Sequence, residues 1–276
     1  MTCIKGCGEM LEGQLLWVCG WCGHAEPRAT ASPSPFPELV PIPEGEFWMG
    51  SGEDDRLALQ HEKPLRKVFL SGYTIGRTPV TNGQFADFVR ATGHVAPGHW
   101  ERTPPVGQNA MHPVCFVTWQ DAIAYCKWLS SRTGMEYQLP TEAQWEKAAR
   151  GGLEANPHPR RLFPHGNAGF NPAFGNFGGL EGRTTPVGHF PKGRSPYGCL
   201  DMAGNVSEWC LDTYFPDAFD HLPLRNPCAL GPGKKVLKGG SWRSEAAHLR
   251  CSNRYFFDPS LASYGIGFRV VSTIEP

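Results

Sequence analysis

One stretch near the end of the chain constrains the fold more than any other. It opens on Val236-Leu237-Lys238, a β-like lead-in, runs through Gly239-Gly240-Ser241-Trp242, and closes on Ile266 to Val271. Two apolar edges therefore frame a long intervening segment, and Leu249-Arg250-Cys251-Ser252-Asn253-Arg254 stands between them as a third fixed point. Around it lie His248, Tyr255, Phe256, Phe257, Leu261 and Tyr264. Large aromatic residues in an irregular segment either plug a core or form a binding face. At least one of Phe256, Phe257 and Leu261 is expected inside.

The rest of the composition narrows the setting. Across 276 residues, 26 basic side chains balance 26 acidic ones, which points away from a nucleic-acid partner or an anionic membrane surface. With 33 Gly, 26 Pro and 19% charged residues, the chain suits a compact, loop-rich fold with many turns, not a helix bundle. No apolar run approaches the length of a membrane span. The N-terminus has no signal-peptide pattern, so a cytoplasmic location is expected.

Four of the ten cysteines fall in the first 22 residues. Cys19 and Cys22 form a C-x-x-C knuckle, Cys3 and Cys7 a pair one residue wider, and Gln14 to Val18 reads as a short strand between the pairs. Four thiolates in this arrangement suit tetrahedral Zn²⁺, and so small a segment needs a metal in place of a core. A zinc ribbon over residues 1–26 is expected, with His24 as the alternative to Cys3. A Pro/Ser/Ala-rich linker follows over 27–37, and the main domain spans 38–276. The other cysteines are expected as thiols used as small core residues.

Leu39 to Met49 reads as a strand pair turning at Pro43-Glu44-Gly45, and Val68 to Ile75 as one strand. Three helices begin with a threonine followed three residues later by a closer of the capping box: Thr81 with Gln84, Thr118 with Asp121, Thr141 with Gln144. Gly93, Gly134 and Gly151 stop them. Their apolar stripes (Phe85, Phe88 and Val89; Trp119, Ala122, Ile123, Cys126 and Leu129; Trp145, Ala148 and Ala149) are core. From Leu153 to Tyr197 periodicity is lost. A loop region this long is uncommon unless it is functional or pinned by a ligand.

Several motifs, taken in order, resemble one family. They are Phe47-Trp48-Met49-Gly50-Ser51, Pro79-Val80-Thr81-Asn82-Gly83-Gln84-Phe85, His112-Pro113-Val114 with Val117-Thr118-Trp119, and Leu139-Pro140-Thr141-Glu142 through Gly151-Gly152. Asp201-Met202-Ala203-Gly204-Asn205-Val206-Ser207-Glu208-Trp209, Gly239-Gly240-Ser241-Trp242 and Gly267-Phe268-Arg269 complete the set. From about Glu38 onward the chain resembles the formylglycine-generating enzyme (sulfatase-modifying factor) family. That resemblance implies an α+β domain with the family's variant of the C-type lectin fold. It also implies calcium. One site would draw on Asn205, Glu208 and the carbonyl of Val206, a second on Asn176 and the carbonyl of Phe177 with Glu181 as an acid. Ser207 replaces the family's usual second Trp.

The enzymes of this family hold copper with two cysteine thiolates just after the Gly-Gly-Ser-aromatic motif, and soft thiolates select Cu(I). Here those positions run Arg243-Ser244-Glu245-Ala246-Ala247-His248, so no copper is expected. Cys251 matches a different, non-catalytic family cysteine. The ergothioneine-pathway sulfoxide synthases, a sister branch, use iron held by histidines of an added helical domain. The ten His residues here show no clustered ligand spacing.

A third branch resembles the chain better: the variable proteins of diversity-generating retroelements. Their variable regions run Gly-Gly-Ser-Trp, a changed stretch, Arg-Cys-x-x-Arg, another changed stretch, and Ile-Gly-Phe-Arg, and all four fixed points stand here. Adenines in asparagine codons are randomised in that system. The interchangeable positions over 243–265 would be Arg243, Ser244, Ala247, His248, Ser252, Tyr255, Phe256, Phe257, Asp258, Ser260, Leu261, Ala262, Tyr264 and Gly265. Glu245 cannot be reached from such a codon and would be fixed. The resemblance implies a non-catalytic protein that binds a protein or other macromolecular target through this segment. The ribbon itself is expected to tether the chain to a protein partner or a membrane-bound assembly. The alternative is an oxidoreductase of the family acting on a cysteine or thiol with Cu or Fe.

Overall fold

The computed structural model describes residues 34–154, 156 and 161–273, together with the backbone of three short strands nearer the start, β1 (Met10–Glu12), β2 (Leu16–Cys19) and β3 (Ala25–Pro27). The chain divides into two compact units, residues 1–34 and 35–276. In the first, β1, β2 and β3 make an antiparallel meander with Leu11 opposite Val18 and Trp17 opposite Glu26. The strand read from Gln14 to Val18 corresponds to β2, and β1 and β3 pair on either side of it. Cys19 closes β2; Cys3, Cys7, Cys22 and His24 lie outside the described residues.

The second unit is built on two four-stranded sheets. One has the order β4–β7–β13–β8, with β4 (Leu39–Ile42), β7 (Tyr73–Gly76), β13 (Val271–Thr273) and β8 (Tyr137–Gln138). The other has the order β11–β10–β9–β12, with β11 (Tyr255–Phe257), β10 (Lys235–Lys238), β9 (Ser207–Thr213) and β12 (Ile266–Gly267). A separate hairpin joins β5 (Gly45–Met49) to β6 (Arg66–Leu70). The expected strand pair at Leu39–Met49 is therefore two strands in different sheets. Pro41 has no N–H for a second ladder, and the turn at Pro43–Glu44 hands the chain from one sheet to the other. The expected strand over 68–75 likewise breaks at Ser71-Gly72 into β6 and β7.

The helices α1 (Asn82–Thr92), α2 (Trp119–Thr133) and α3 (Glu142–Arg150) start where the threonines place them, and each capping box is closed from both sides. Gly93 and Gly134 end the first two in the left-handed conformation, with φ of 70° and 78°. Phe85, Phe88, Tyr125, Cys126 and Leu129 pack with Phe268 and Val270 in one core cluster; Trp145, Ala148 and Ala149 belong to another with Phe47, Met202 and Val236. A short helix α4 (Ala218–His221) closes that second cluster through Phe219.

α3 departs from an amphipathic pattern. Glu142, Glu146, Lys147 and Arg150 are all buried along with its apolar face. Their charges are matched internally. Glu146 meets Lys238 at 3.1 Å and Arg150 at 3.2 Å, and Glu142 meets Arg254 at 2.6 Å. Lys147 donates to the carbonyls of Pro43 and Gly45. A buried charge is tolerable only when it is paired and hydrogen-bonded.

The segment from β10 to β13 explains the architecture. It supplies three strands of one sheet and, across buried Phe268, Arg269 and Val270, one strand of the other. Arg269 lies between them, holding both carboxylate oxygens of Glu208 of β9 through Nε and Nη2 (2.6 and 2.8 Å) and donating to the carbonyls of Gly76 and Leu200. Trp145 also donates to Glu208, at 2.9 Å. Removing one partner of such a pair leaves an uncompensated buried charge. Glu208→Gln is therefore expected to cost about 3–5 kcal/mol, against about 1 kcal/mol for the cap change Thr118→Ala. Guanidinium titrations of the two variants, followed by tryptophan fluorescence, check the ranking; equal costs would mean the clamp does not hold the sheets.

Candidate functional site

Gly239 and Gly240 set the path of the C-terminal segment out of β10. Both have positive φ (88° and 66°), and a Cβ would lie 3.0 Å from the Trp145 ring at the first and 2.7 Å from Leu249 at the second. Only glycine meets both demands. Beyond them the chain makes a short 3-10 turn at Ala246–Leu249 and passes two buried arginines. Arg250 clamps Glu62 at 2.6 and 2.9 Å, with Asp55 at 3.2 Å and the Leu57 carbonyl at 2.9 Å. Arg254 binds Glu142 and donates to the His61 carbonyl at 2.7 Å. The third fixed point seen in sequence is thus a pair of internal struts.

Between the struts and the sheet lies a groove of about 450 Å³. Eight of the predicted interchangeable residues line it: Arg243, Ser244, His248 and Tyr255, then Phe256, Phe257, Tyr264 and Gly265. Tyr255 and Tyr264 are 60% and 55% exposed and Leu261 is 52% exposed; Phe256 and Phe257 are half-buried. None of Phe256, Phe257 and Leu261 is sealed inside, contrary to expectation. The reason is that Tyr255–Phe257 is not loop but β11, an edge strand paired with β10 (Val236 opposite Phe256). Phe257 packs against the edge of a core cluster, while Tyr255 stays exposed. Phe257 approaches Trp209 at 6.3 Å and Phe256 packs on Tyr214 at 4.0 Å. Asp258 and Ser260 are exposed and bond each other at 2.6 Å; Ala247 and Ala262 are half-buried. Glu245, the position predicted to be fixed, is exposed.

Two predicted positions are buried. Ser252 is 1% exposed and accepts from Ser51 at 2.8 Å while donating to Glu62; it belongs to the Arg250 clamp. Gly265 is buried, and a Cβ there would lie 3.0 Å from Ser241. Sequence reasoning also missed part of the groove. Leu59 and His61 come from far upstream. His61 shares a hydrogen bond of 2.6 Å with Tyr214, and burial, then the Arg254 guanidinium, lowers its pKa. Nothing local in sequence marks these residues, because only the Arg250 and Arg254 struts bring their loop alongside.

The implied metal ligands fare unequally. Both carboxylate oxygens of Glu208 are taken by Arg269 and Trp145. Asn205 spends its amide on the backbone of Thr185, at 3.0 and 3.1 Å, and Val206 is fully buried. A calcium ion at this first site would have to displace an arginine, so these residues do not fit one. At the second, Asn176 donates to the Arg183 carbonyl, but its buried Oδ1 has no partner. The Phe177 carbonyl accepts from Leu180, and Glu181 is exposed. Among the described residues no group of three or more His, Cys, Asp or Glu side chains converges as a metal site. The six cysteines from Cys115 to Cys251 are free thiols, buried except for half-buried Cys228, and burial pushes the Cys251 thiol up to about 12.

The sequence profile of the sulfatase-modifying factor enzyme 1-like domain matches residues 25–274. The chain belongs to that family. It is 33% identical to the formylglycine-generating enzyme of Streptomyces coelicolor, over 91% of this chain and 94% of that one. It is 32% identical to the serine/threonine-protein kinase pkn1 of Chlamydia caviae, over 91% of this chain, and spans 40% of that relative's length. Among solved structures, PvdO from Pseudomonas aeruginosa superposes with a TM-score of 0.74 at 29% identity, covering 87% of this chain and 96% of that one. Treponema denticola variable protein 1 superposes at 0.69 and 24% identity, covering 86% and 95%, a likeness of fold. No helix among the described residues is long and apolar enough to cross a membrane.

Next to the family's Asn205–Trp209 motif sits Asp201, buried, accepting from Gly188 at 2.7 Å, its backbone at φ 55°. Burial pushes its pKa up from 3.8 to about 6. Between those values the folded protein holds a proton that the unfolded chain has released. This group's contribution to stability is therefore complete below about pH 4 and falls as pH rises through about 6. Asp201→Asn keeps the acceptor and tolerates the left-handed backbone. It is expected to gain on the parent by roughly 1–3 kcal/mol between about pH 4 and pH 7.5, measured by denaturant titration across that window; a constant difference would remove the assignment.

Proposed function

We propose that this chain is a non-catalytic binding protein that presents interchangeable side chains from its C-terminal segment, as the variable proteins of diversity-generating retroelements do. The observation that carries this reading is a separation of roles. The residues that fix the segment, Arg250, Arg254 and Arg269, are 1%, 1% and 0% exposed. Most of the residues between them face a groove or solvent. Tyr, Phe, His and Ser on a rigid frame supply aromatic area at low entropy cost with adaptable hydrogen bonds. The partner is a protein or other macromolecule wide enough to meet both the groove and the exposed Leu261 and Tyr264. The leader's Cys3, Cys7, Cys19 and Cys22 would hold Zn²⁺ and serve a separate partner; Asn176 and the Phe177 carbonyl would contribute to a calcium site. A cytoplasmic location is part of the same proposal.

Family membership supports a second reading, an oxidoreductase acting on a cysteine or thiol with Cu or Fe. Its difficulty is the donor set. Ser244 and its neighbours up to His248 bring no thiol to the groove, and the Cys251 thiol is 0% exposed. A two-thiolate Cu(I) site needs two accessible sulfurs. Stoichiometric tight copper uptake by residues 35–276, with oxygen-dependent oxidation of a cysteine peptide, would favour this reading over the first.

Interchangeability has a stability signature. The triple change His248→Asn, Tyr255→Asn and Leu261→Asn, at exposed positions, is expected to shift unfolding free energy by no more than about 1 kcal/mol. Ser252→Asn, inside the Arg250–Glu62 clamp, is expected to cost at least about 2 kcal/mol. Thermal and denaturant unfolding of both variants checks this. A triple variant as damaged as Ser252→Asn would mean that the face is framework. At the level of the gene, an adenine-rich near-repeat of the codons for 243–265 beside a reverse transcriptase gene would decide for the variable-protein reading.

A further inference from the structure

A second concavity, of about 510 Å³, shares Tyr264 with the groove and adds Trp242. Its remaining walls come from elsewhere in the chain, chiefly His99, Arg102, His112, Phe116, Arg183 and Thr184. None of these carries a role in the reading above, and the volume is in the range of small-molecule sites.

Three observations point the same way. The first is backbone strain. Phe116 has φ 63°, a conformation a bulky residue rarely adopts. It is held there by its N–H, which donates to the Ser263 carbonyl at 2.9 Å. Strain of this kind persists only where the surroundings over-determine it, and it collects at ligand sites. Its effect is to set the Phe116 ring against Tyr264, with centroids 4.3 Å apart, and near His99 at 5.8 Å. The outcome is a wall of flat rings.

The second is a pair of imidazoles. The Nδ1 of His112 lies 2.9 Å from Thr184 Oγ1, which leaves Nε2 as its free ring nitrogen. His99 Nδ1 is buried without a partner. Burial lowers the pKa of both rings, so each is neutral near pH 7 and able to give one N–H. The third is charge. Arg102 and Arg183 are exposed, and neither has an ion pair among the described residues. Glu101 is the one acid among the described residues of the lining. The cavity's field is therefore net positive.

We propose that this cavity is a binding site for a small anion carried on a flat unsaturated frame, an aryl carboxylate or aryl phosphate, with the oxyanion at Arg102 and Arg183 and the ring against Phe116 and Tyr264. A guanidinium matches a carboxylate or phosphate with two parallel N–H donors, and an aromatic wall takes a planar body at little entropic cost. The site shares Tyr264 with the groove, and its two arginines lie outside the groove.

The test is titration of the full chain with benzoate, phenyl phosphate, inorganic phosphate and benzamidine, followed by calorimetry and ligand-observed NMR. Benzoate or phenyl phosphate is expected to saturate with a Kd on the order of 1 mM, as suits so small a ligand. Inorganic phosphate, which lacks the ring, and benzamidine, which reverses the charge, are expected at least about tenfold weaker. The exposed double change Arg102→Glu with Arg183→Glu should abolish benzoate and phenyl phosphate binding with an unchanged melting midpoint. Phe116→Gly, which removes the ring and relieves the backbone, should weaken it without loss of stability, and Tyr255→Ser, in the groove, should leave it unchanged. Benzamidine binding as tightly as benzoate, the double variant retaining benzoate affinity, or Tyr255→Ser weakening it as much as the double variant would each overturn the proposal.

Discussion

Three buried arginine–glutamate clamps hold this domain to a single shape. Arg250 with Glu62, Arg254 with Glu142 and Arg269 with Glu208 join residues 188, 112 and 61 positions apart. Each guanidinium also donates to backbone carbonyls, those of Leu57, His61 and Gly76. Loops cannot satisfy such carbonyls once they are removed from water. Arginine suits this duty because its planar fork makes several directed bonds and never loses its charge. Against a well-packed apolar core, buried ion pairs contribute little net stability. Their contribution is geometric: a chain so rich in irregular backbone reaches the same arrangement every time.

The clamps and the apolar clusters divide the work. Phe268 and Val270 sit in the cluster of α1 and α2, and Val271 and Cys251 in that of α3. The segment is therefore anchored at intervals of a few residues by side chains that point inward. What lies between the anchors is free to point outward. This is why a groove rimmed by Tyr255, Phe256 and Tyr264 can coexist with a rigid backbone. It is also why Ser252, which lies beside an anchor, belongs to the frame. The boundary between buried frame and exposed face runs residue by residue and does not follow the limits of the segment.

How far the sequence speaks depends on the range of the interaction. The three capping boxes are local. A threonine hydroxyl and a side chain three residues on meet without help from the rest of the fold, and Thr81, Thr118 and Thr141 could be read directly. The glycine stops at Gly93 and Gly134 were legible for the same reason. Strands were less so. Tyr255–Phe257 has three aromatic residues and no alternation, and it becomes a strand only because β10 offers it an edge. The buried charges of α3 were hidden because their partners, Lys238 and Arg254, are distant in sequence. His61 and Phe116 reached the two concavities in the same way, through contacts with no local signature. Glu208 shows the hazard of motif transfer: a carboxylate beside Asn205 reads as a cation ligand until the arginine that occupies it is seen.

The same separation of frame from surface bears on how a domain of this family could carry either an enzyme's site or a binder's face. Nothing in the clamps requires a thiolate. The Arg250 strut is complete with serine, glutamate and a carbonyl, and Cys251 beside it is a small apolar side chain in a sealed position. A redox site would be an addition to the groove's rim, at positions such as Glu245 and His248, whose side chains are exposed. Losing or gaining two cysteines there leaves every buried interaction intact, so chemistry at the rim can change without the scaffold being renegotiated. On the proposed reading, function in such a domain would be decided at exposed positions between the anchors, with the backbone held the same.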